Sequence, residues 1–238
     1  MRYKNIITLL LVTIIMLTSS GFAFSQWTKV VVALKGNIFD AISKQPVGVE
    51  ILVYDNTGKK VNQTKSSKSE EGYYYITGLI PGNTYSIDFK SDEYLFENLS
   101  VSIPNTDKYL EISRDLNMKP KASNTQIPIS VPPFEVNKSK LKYGSGKLLD
   151  ALANTMKNNP EIKFSIKSYP DDEDNPKDNL KLTKERANAI YDFFVTYGID
   201  PARMKIIESD KVDPKSPPPS QKRAKGKRYI GPTYIIIN

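Results

Sequence analysis

The 238-residue sequence predicts an α+β multi-domain chain: an all-β sandwich followed by a β-α-β-α-β-β sheet-and-helix sandwich. Three observations predict it. Residues 27–118 alternate apolar and polar positions and carry no helical repeat. Residues 119–132 interrupt that pattern with Pro120, Pro128 and Pro132 among small and polar residues. Residues 133–238 then switch between helical spacing and short apolar runs, the signature of strands alternating with helices.

Ahead of these lies a targeting segment. Arg2 and Lys4 precede an apolar stretch over 6–17, and Ala23-Phe24-Ser25 offers a small-x-small cleavage site before Gln26. Residues 1–25 therefore read as a secretory signal peptide. The competing reading is an uncleaved anchor, since 6–24 could just span a bilayer; Ser19, Ser20 and Gly21 favour cleavage. The formal net charge is +8, and Arg2 and Lys4 carry two of those charges, leaving +6 on the rest. A basic exported protein suits an anionic neighbour, and export argues against nucleic acid.

Composition excludes several chemistries. The chain has no Cys and no His. Disulfides, zinc-thiolate sites, Ser-His-Asp triads and His general bases are therefore impossible. No cofactor, no metal site and no catalytic residue is expected.

Within 27–118, Val49, Ile51 and Val53 alternate, as do Tyr73 and Tyr75, so these runs read as strands. Asp55-Asn56-Thr57-Gly58 is a hairpin signal and Pro81-Gly82-Asn83 a turn. About seven short strands predict a small β-sandwich. Gly36-Asn37-Ile38-Phe39-Asp40, Gln45-Pro46-Val47, Gly72-Tyr73-Tyr74 and Leu79-Ile80-Pro81-Gly82-Asn83-Thr84-Tyr85 fall in the order of motifs found in carboxypeptidase regulatory-like (transthyretin-like) domains. The region resembles that family. Tyr74 and Tyr85 are expected between the sheets, and the implied role is structural or adhesive.

Residues 119–132 read as a linker. Beyond it, Phe134 and Val136 read as a short strand. Leu148, Leu152, Thr155 and Met156 mark a helix over 147–158, stopped by Asn158-Asn159-Pro160. Ile162, Phe164 and Ile166 alternate as a strand. Ala187, Ile190, Phe194 and Tyr197 mark a second helix, stopped by Gly198. Residues 204–207 and 234–237 are the last two strands, separated by a Pro- and Lys-rich stretch over 213–228.

Phe134-Glu135-Val136-Asn137-Lys138-Ser139-Lys140-Leu141, Asn179-Leu180-Lys181-Leu182-Thr183-Lys184-Glu185-Arg186-Ala187 and Tyr197-Gly198-Ile199-Asp200-Pro201-Ala202-Arg203-Met204 resemble the signatures of OmpA-like domains over 133–238. Asp171, in Ser168-Tyr169-Pro170-Asp171, stands eight residues before Asn179, as the family's aspartate does. The resemblance implies a non-enzymatic peptidoglycan-binding domain in the periplasm, associated with the cell wall or outer membrane. It implies that Asp171 and Arg186, with Asn179, Tyr169 and Arg228, bind the diaminopimelate end of a stem peptide. Asp would pair the ammonium and the Arg fork the carboxylate. Placed in the first turn of its helix, Arg186 would oppose the macrodipole unless an anion joined it. The alternative is that Arg186 and Asp171 form a structural bridge. The chain departs from the pattern at Ser168, Pro170 and Asp174, and Pro170 lacks a backbone N–H. The acidic run 171–175 lacks the glycine and terminal glutamate of a calcium loop and reads as a solvated loop. A protein partner for the sandwich is expected. The alternative role is a structural part of a secretion or motility assembly, with a degenerate pocket.

Overall fold

The computed structural model describes residues 30–219 and 228–238. Residues 1–25, read as a signal peptide, and most of the basic stretch 222–228 lie outside the described residues.

The architecture is an all-β region followed by an α/β region, as expected. In the first, one sheet has the order β4 (Tyr73–Leu79), β1 (Val32–Asp40), β7 (Leu110–Ser113), with β8 (Leu116–Met118) also pairing β1. The other has the order β3 (Lys60–Lys65), β2 (Glu50–Tyr54), β5 (Thr84–Lys90), β6 (Glu97–Ser102). Period-two alternation buries one face of β1, β2, β4 and β5. Ile51 and Val53 of β2, Tyr74 and Ile76 of β4, and Tyr85, Ile87 and Phe89 of β5 share one core with Val32, Leu34 and Ile38. Tyr74 and Tyr85 lie inside it, as expected, while Tyr73 and Tyr75 face outward. Both turn signals hold. The Asp55 carboxylate accepts from the Thr57 and Lys59 N–H groups between β2 and β3, and 80–83 connect β4 to β5. Gly72 is required where it stands: its φ is +77°, and a Cβ there would come within 2.2 Å of the Ile38 carbonyl oxygen.

In the second region the sheet order is β11 (Met204–Ile207), β10 (Phe164–Ser168), β12 (Thr233–Ile237), β9 (Gln126–Pro128). β10 pairs parallel to β11 and antiparallel to β12. Helices α1 (Ser145–Asn158) and α2 (Pro176–Thr196) bury Leu149, Leu152, Met156, Ala187, Ile190 and Phe194 in one cluster with Phe164, Ile166, Ile235 and Ile237.

Two elements differ from the sequence reading. The first strand of this region is β9, not Phe134 and Val136. Phe134 is buried in the core, but the chain turns there, with the Lys138 N–H bonded to the Glu135 carbonyl. Burial of one large ring in a turn imitates the start of a strand. Secondly, α2 begins at Pro176, because Asn175 caps it by accepting from the Lys177 and Asp178 N–H groups and Pro176 fits the first helical position. Arg186 therefore sits ten residues in, not in the first turn, and the macrodipole argument for an anionic partner does not apply.

The stretch 119–132 is bonded along its length. The Leu95 N–H donates to the Lys119 carbonyl, the Lys121 N–H to the Glu93 carbonyl, and β9 pairs with β12. Leu95, between β5 and β6, is fully buried in the core of the α/β region. Asn159, just past α1, accepts from the Phe96 N–H at 2.8 Å and donates to the Phe96 carbonyl at 2.9 Å. The Thr155 hydroxyl and the Lys119 ammonium both reach the Glu97 carboxylate.

Candidate functional site

At the end of β10 the chain leaves the sheet through Tyr169 and Pro170 and delivers Asp171 to the flank of α2. Arg186 meets it there. The guanidinium and carboxylate form a fork, Nη1 to Oδ1 at 2.7 Å and Nη2 to Oδ2 at 2.9 Å. The two side chains are 0% and 3% exposed. An isolated charge cannot be held at such depth, so each must find full compensation.

It does so from the backbone. Arg186 Nε donates to the Lys138 carbonyl at 2.9 Å, Nη2 to the Glu135 carbonyl at 3.0 Å and Nη1 to the Tyr169 carbonyl at 3.3 Å. With the two bonds to Asp171, all five guanidinium N–H groups are engaged. Asp171 Oδ2 accepts from the Asn137 N–H at 2.6 Å and Oδ1 from the Gly231 N–H at 2.7 Å. Arg186 also lies over the Phe134 ring, 5.3 Å from its centroid.

Two backbone features make this closure possible. Asn137 has φ +54°, the left-handed conformation that asparagine tolerates better than most residues. Gly231 passes so close that a Cβ would stand 2.1 Å from the Tyr169 carbonyl oxygen. The family resemblance flagged neither residue as part of the site.

Of the residues expected to act together, the structure brings Asp171, Arg186, Asn179 and Tyr169 to one end of the sheet. Tyr169 contributes its carbonyl to Arg186, while its ring packs edge-on against Tyr234 at 6.0 Å. Asn179 is buried and donates to the Asp172 and Asp210 carbonyls at 2.8 and 3.3 Å. Arg228 is exposed beside the undescribed 220–227. Thr183 belongs with the group and was missed. Its fully buried hydroxyl donates to the Ser209 carbonyl and accepts from the Ser209 N–H. Asn179, Thr183 and Arg186 are spaced four and three apart, a polar stripe on one helix face, and that spacing was the signal available.

Beside the pair lies a cleft of ≈ 380 Å³ lined by Asn137, Asp172, Asp174, Asp178, Asn179 and Lys181, among others. On the other side Asp213 is buried and accepts from the Tyr234 hydroxyl at 2.6 Å. Tyr234 is raised above its ordinary range, first by burial and then by that bond. Tyr229 is pushed up to about 12 by burial, then by the charges of Asp213 and Asp171. Arg203, in the third signature, is a structural cation. It donates to the Met156, Asn159 and Ile162 carbonyls at and beyond the C-terminal end of α1, where a positive charge complements the helix dipole.

The class this defines is a four-stranded α/β domain with a buried, backbone-wrapped Asp–Arg pair at one sheet end. Residues 133–227 match the model of the OmpA family, and this part of the chain is an OmpA-family domain. The peptidoglycan-associated lipoprotein from Burkholderia pseudomallei is 18% identical over 44% of this chain and 86% of its own, with a TM-score of 0.36. The OmpA-like domain of FopA1 from Francisella tularensis subsp. tularensis SCHU S4 is 17% identical over 44% of this chain and 71% of its own, with a TM-score of 0.34. The periplasmic domain of Helicobacter pylori MotB is 10% identical over 64% of this chain and 80% of its own, with a TM-score of 0.38. Among the described residues no helix is long and apolar enough to cross a membrane.

Proposed function

We propose that this chain is a non-enzymatic, peptidoglycan-associated protein of the cell envelope. Its OmpA-family domain meets the wall in the periplasm, and its sandwich, of the regulatory-like kind, spaces that domain or holds an envelope protein. The observation that carries this reading is the Asp171–Arg186 pair within the OmpA-family domain, whose chain neighbour Asp172 and partner Asn137 line the cleft. A diaminopimelate end carries an ammonium and a carboxylate on one carbon. Asp171 is the partner for the first and the Arg186 fork for the second, through charge-assisted bonds. Asn137, exposed at the cleft, supplies its side-chain amide for the rest of a stem peptide, and Asn179 holds the Asp172 and Asp210 carbonyls beside it.

A second reading rests on one observation: every guanidinium N–H of Arg186 already has an acceptor within the protein. On that reading the pair is a structural bolt, and the domain serves an envelope assembly without holding a stem end. Calorimetric titration with two synthetic stem peptides separates the two. A stem ending in diaminopimelate should bind. One carrying lysine, which lacks the second carboxylate, should bind at least tenfold more weakly, a loss of ~1.4 kcal/mol or more. Absence of heat from both peptides favours the bolt.

A further inference from the structure

We infer that the site is closed by the protein's own backbone, so that a stem end enters only by displacing the turn at 135–138; this rests on the stem-binding reading above. The geometry is that of a ligand mimic. A bound ammonium would donate to Asp171, and the Asn137 and Gly231 N–H groups already do so at 2.6 and 2.7 Å. A bound carboxylate would accept from Arg186, and the Glu135 and Lys138 carbonyls already do so at 3.0 and 2.9 Å. Donors stand on the Asp and acceptors on the Arg, as in the zwitterion they replace.

The two closing segments are not equal. Gly231 leads directly into β12, whose Thr233 pairs with Ser168 of β10, and the neighbouring Pro232 carbonyl accepts from the Tyr169 N–H. That side is held by the sheet. The turn at 135–138 has weaker holds. Glu135, Asn137 and Lys138 are exposed. Its bonds outside the pair are the Lys138–Glu135 contacts within the turn and, just beyond it, the Ser139 hydroxyl on Glu185 at 2.9 Å. Asn137 also sits in the left-handed region, at φ +54°, a conformation less favourable than the ordinary ones even for asparagine. The turn is therefore the segment that yields, and it lines the cleft through Asn137. Exchange of like bonds for like keeps both charges compensated throughout, which a vacated pair at this depth would not.

Two measurements test this on the whole chain with a diaminopimelate stem peptide. The first is amide hydrogen exchange on the wild type. Binding should speed exchange at Asn137, because its N–H loses Asp171, while Gly231 stays protected. The second is affinity in two variants that open the closure independently. Asn137→Pro removes the donor and forbids the positive φ; Ser139→Ala removes the hydroxyl bond to Glu185 that holds the turn's far end. A ligand that binds only the open form gains in apparent affinity as the open fraction rises, so either variant should bind at least tenfold more tightly than wild type. Binding by an opened variant alone also supports the closure. If the wild type binds and Asn137 stays equally or better protected, the closure is wrong and the stem-binding reading stands. If neither the wild type nor an opened variant binds, the stem-binding reading fails and the closure falls with it.

Discussion

The sandwich and the OmpA-family domain solve burial in opposite ways. In the sandwich the core is apolar, and polar groups at its margin find partners close by: Ser66 bonds the Val47 carbonyl and Val49 N–H, Tyr94 donates to Asp40, Tyr74 donates to the Arg114 carbonyl at 2.7 Å and Tyr85 accepts from the Ile80 N–H at 2.9 Å. In the OmpA-family domain an apolar core lies beside a buried stripe of Asn179, Thr183 and Arg186, which binds three loops to one helix. Apolar burial is non-directional and tolerates small shifts. A buried ion pair has no such tolerance, because an unmatched charge costs far more than an unfilled methyl group. Signature residues therefore do different work in the two regions. In the first they turn the chain, and in the second they hold loops in a fixed arrangement.

The largest effect is expected from Arg186→Ala. It strands the Asp171 carboxylate at 3% exposure and should lower stability by about 3–5 kcal/mol in chemical denaturation. A loss under about 1 kcal/mol would mean that solvent reaches the pair.

Next comes the joint between the regions. Asn159→Ala removes two bonds to Phe96 and one to the Thr155 carbonyl. The expected cost is about 1–3 kcal/mol. With Leu95 still inserted, the two regions should unfold closer to independently, so that amide exchange in the strands of the sandwich and helical circular dichroism give separate midpoints. Coincident midpoints in the variant would show that Leu95 and the Glu97 contacts with Thr155 and Lys119 suffice to couple them.

A milder probe of the sandwich is Tyr74→Phe, which deletes the hydroxyl on Arg114 and keeps the ring. It should cost about 1 kcal/mol, well below the effect of Arg186→Ala, and equal losses would erase the contrast drawn above.

The smallest effect is that of pH on Asp40. Burial alone would raise its carboxyl; the Ser43 and Ile42 N–H groups and the Tyr94 hydroxyl outweigh that and hold it below its ordinary value of 3.8. Its folded value is therefore below its unfolded one. The stabilisation it supplies is complete above the unfolded value and is lost as pH falls through the folded one. Stability measured between pH 5 and 2 should fall less steeply in Asp40→Asn than in wild type; identical slopes would show that Asp40 does not titrate with unfolding.

Much of this protein was legible in its residues. The strands of the sandwich follow from alternation, because one face of each strand meets the core and the other meets water. The turns at 55–58 and 81–83 follow from local chemistry within a few residues, and the helix stop at 158–160 from Asn159 and Pro160. The start of α2 was also written locally, in Asn175 and Pro176, but the missing apolar repeat over 176–182 hid it. What local pattern could not show is what closes on Asp171 and Arg186. Two of the partners are backbone groups of Asn137 and Gly231, 34 and 60 residues from Asp171, and a backbone N–H carries no residue identity. The insertion of Leu95 into the other region's core and the pairing of β9 with β12 are likewise settled by packing at long range. Local sequence dictates which way a segment bends and which face it buries. Which distant backbone satisfies a buried charge depends on where the whole chain has come to rest.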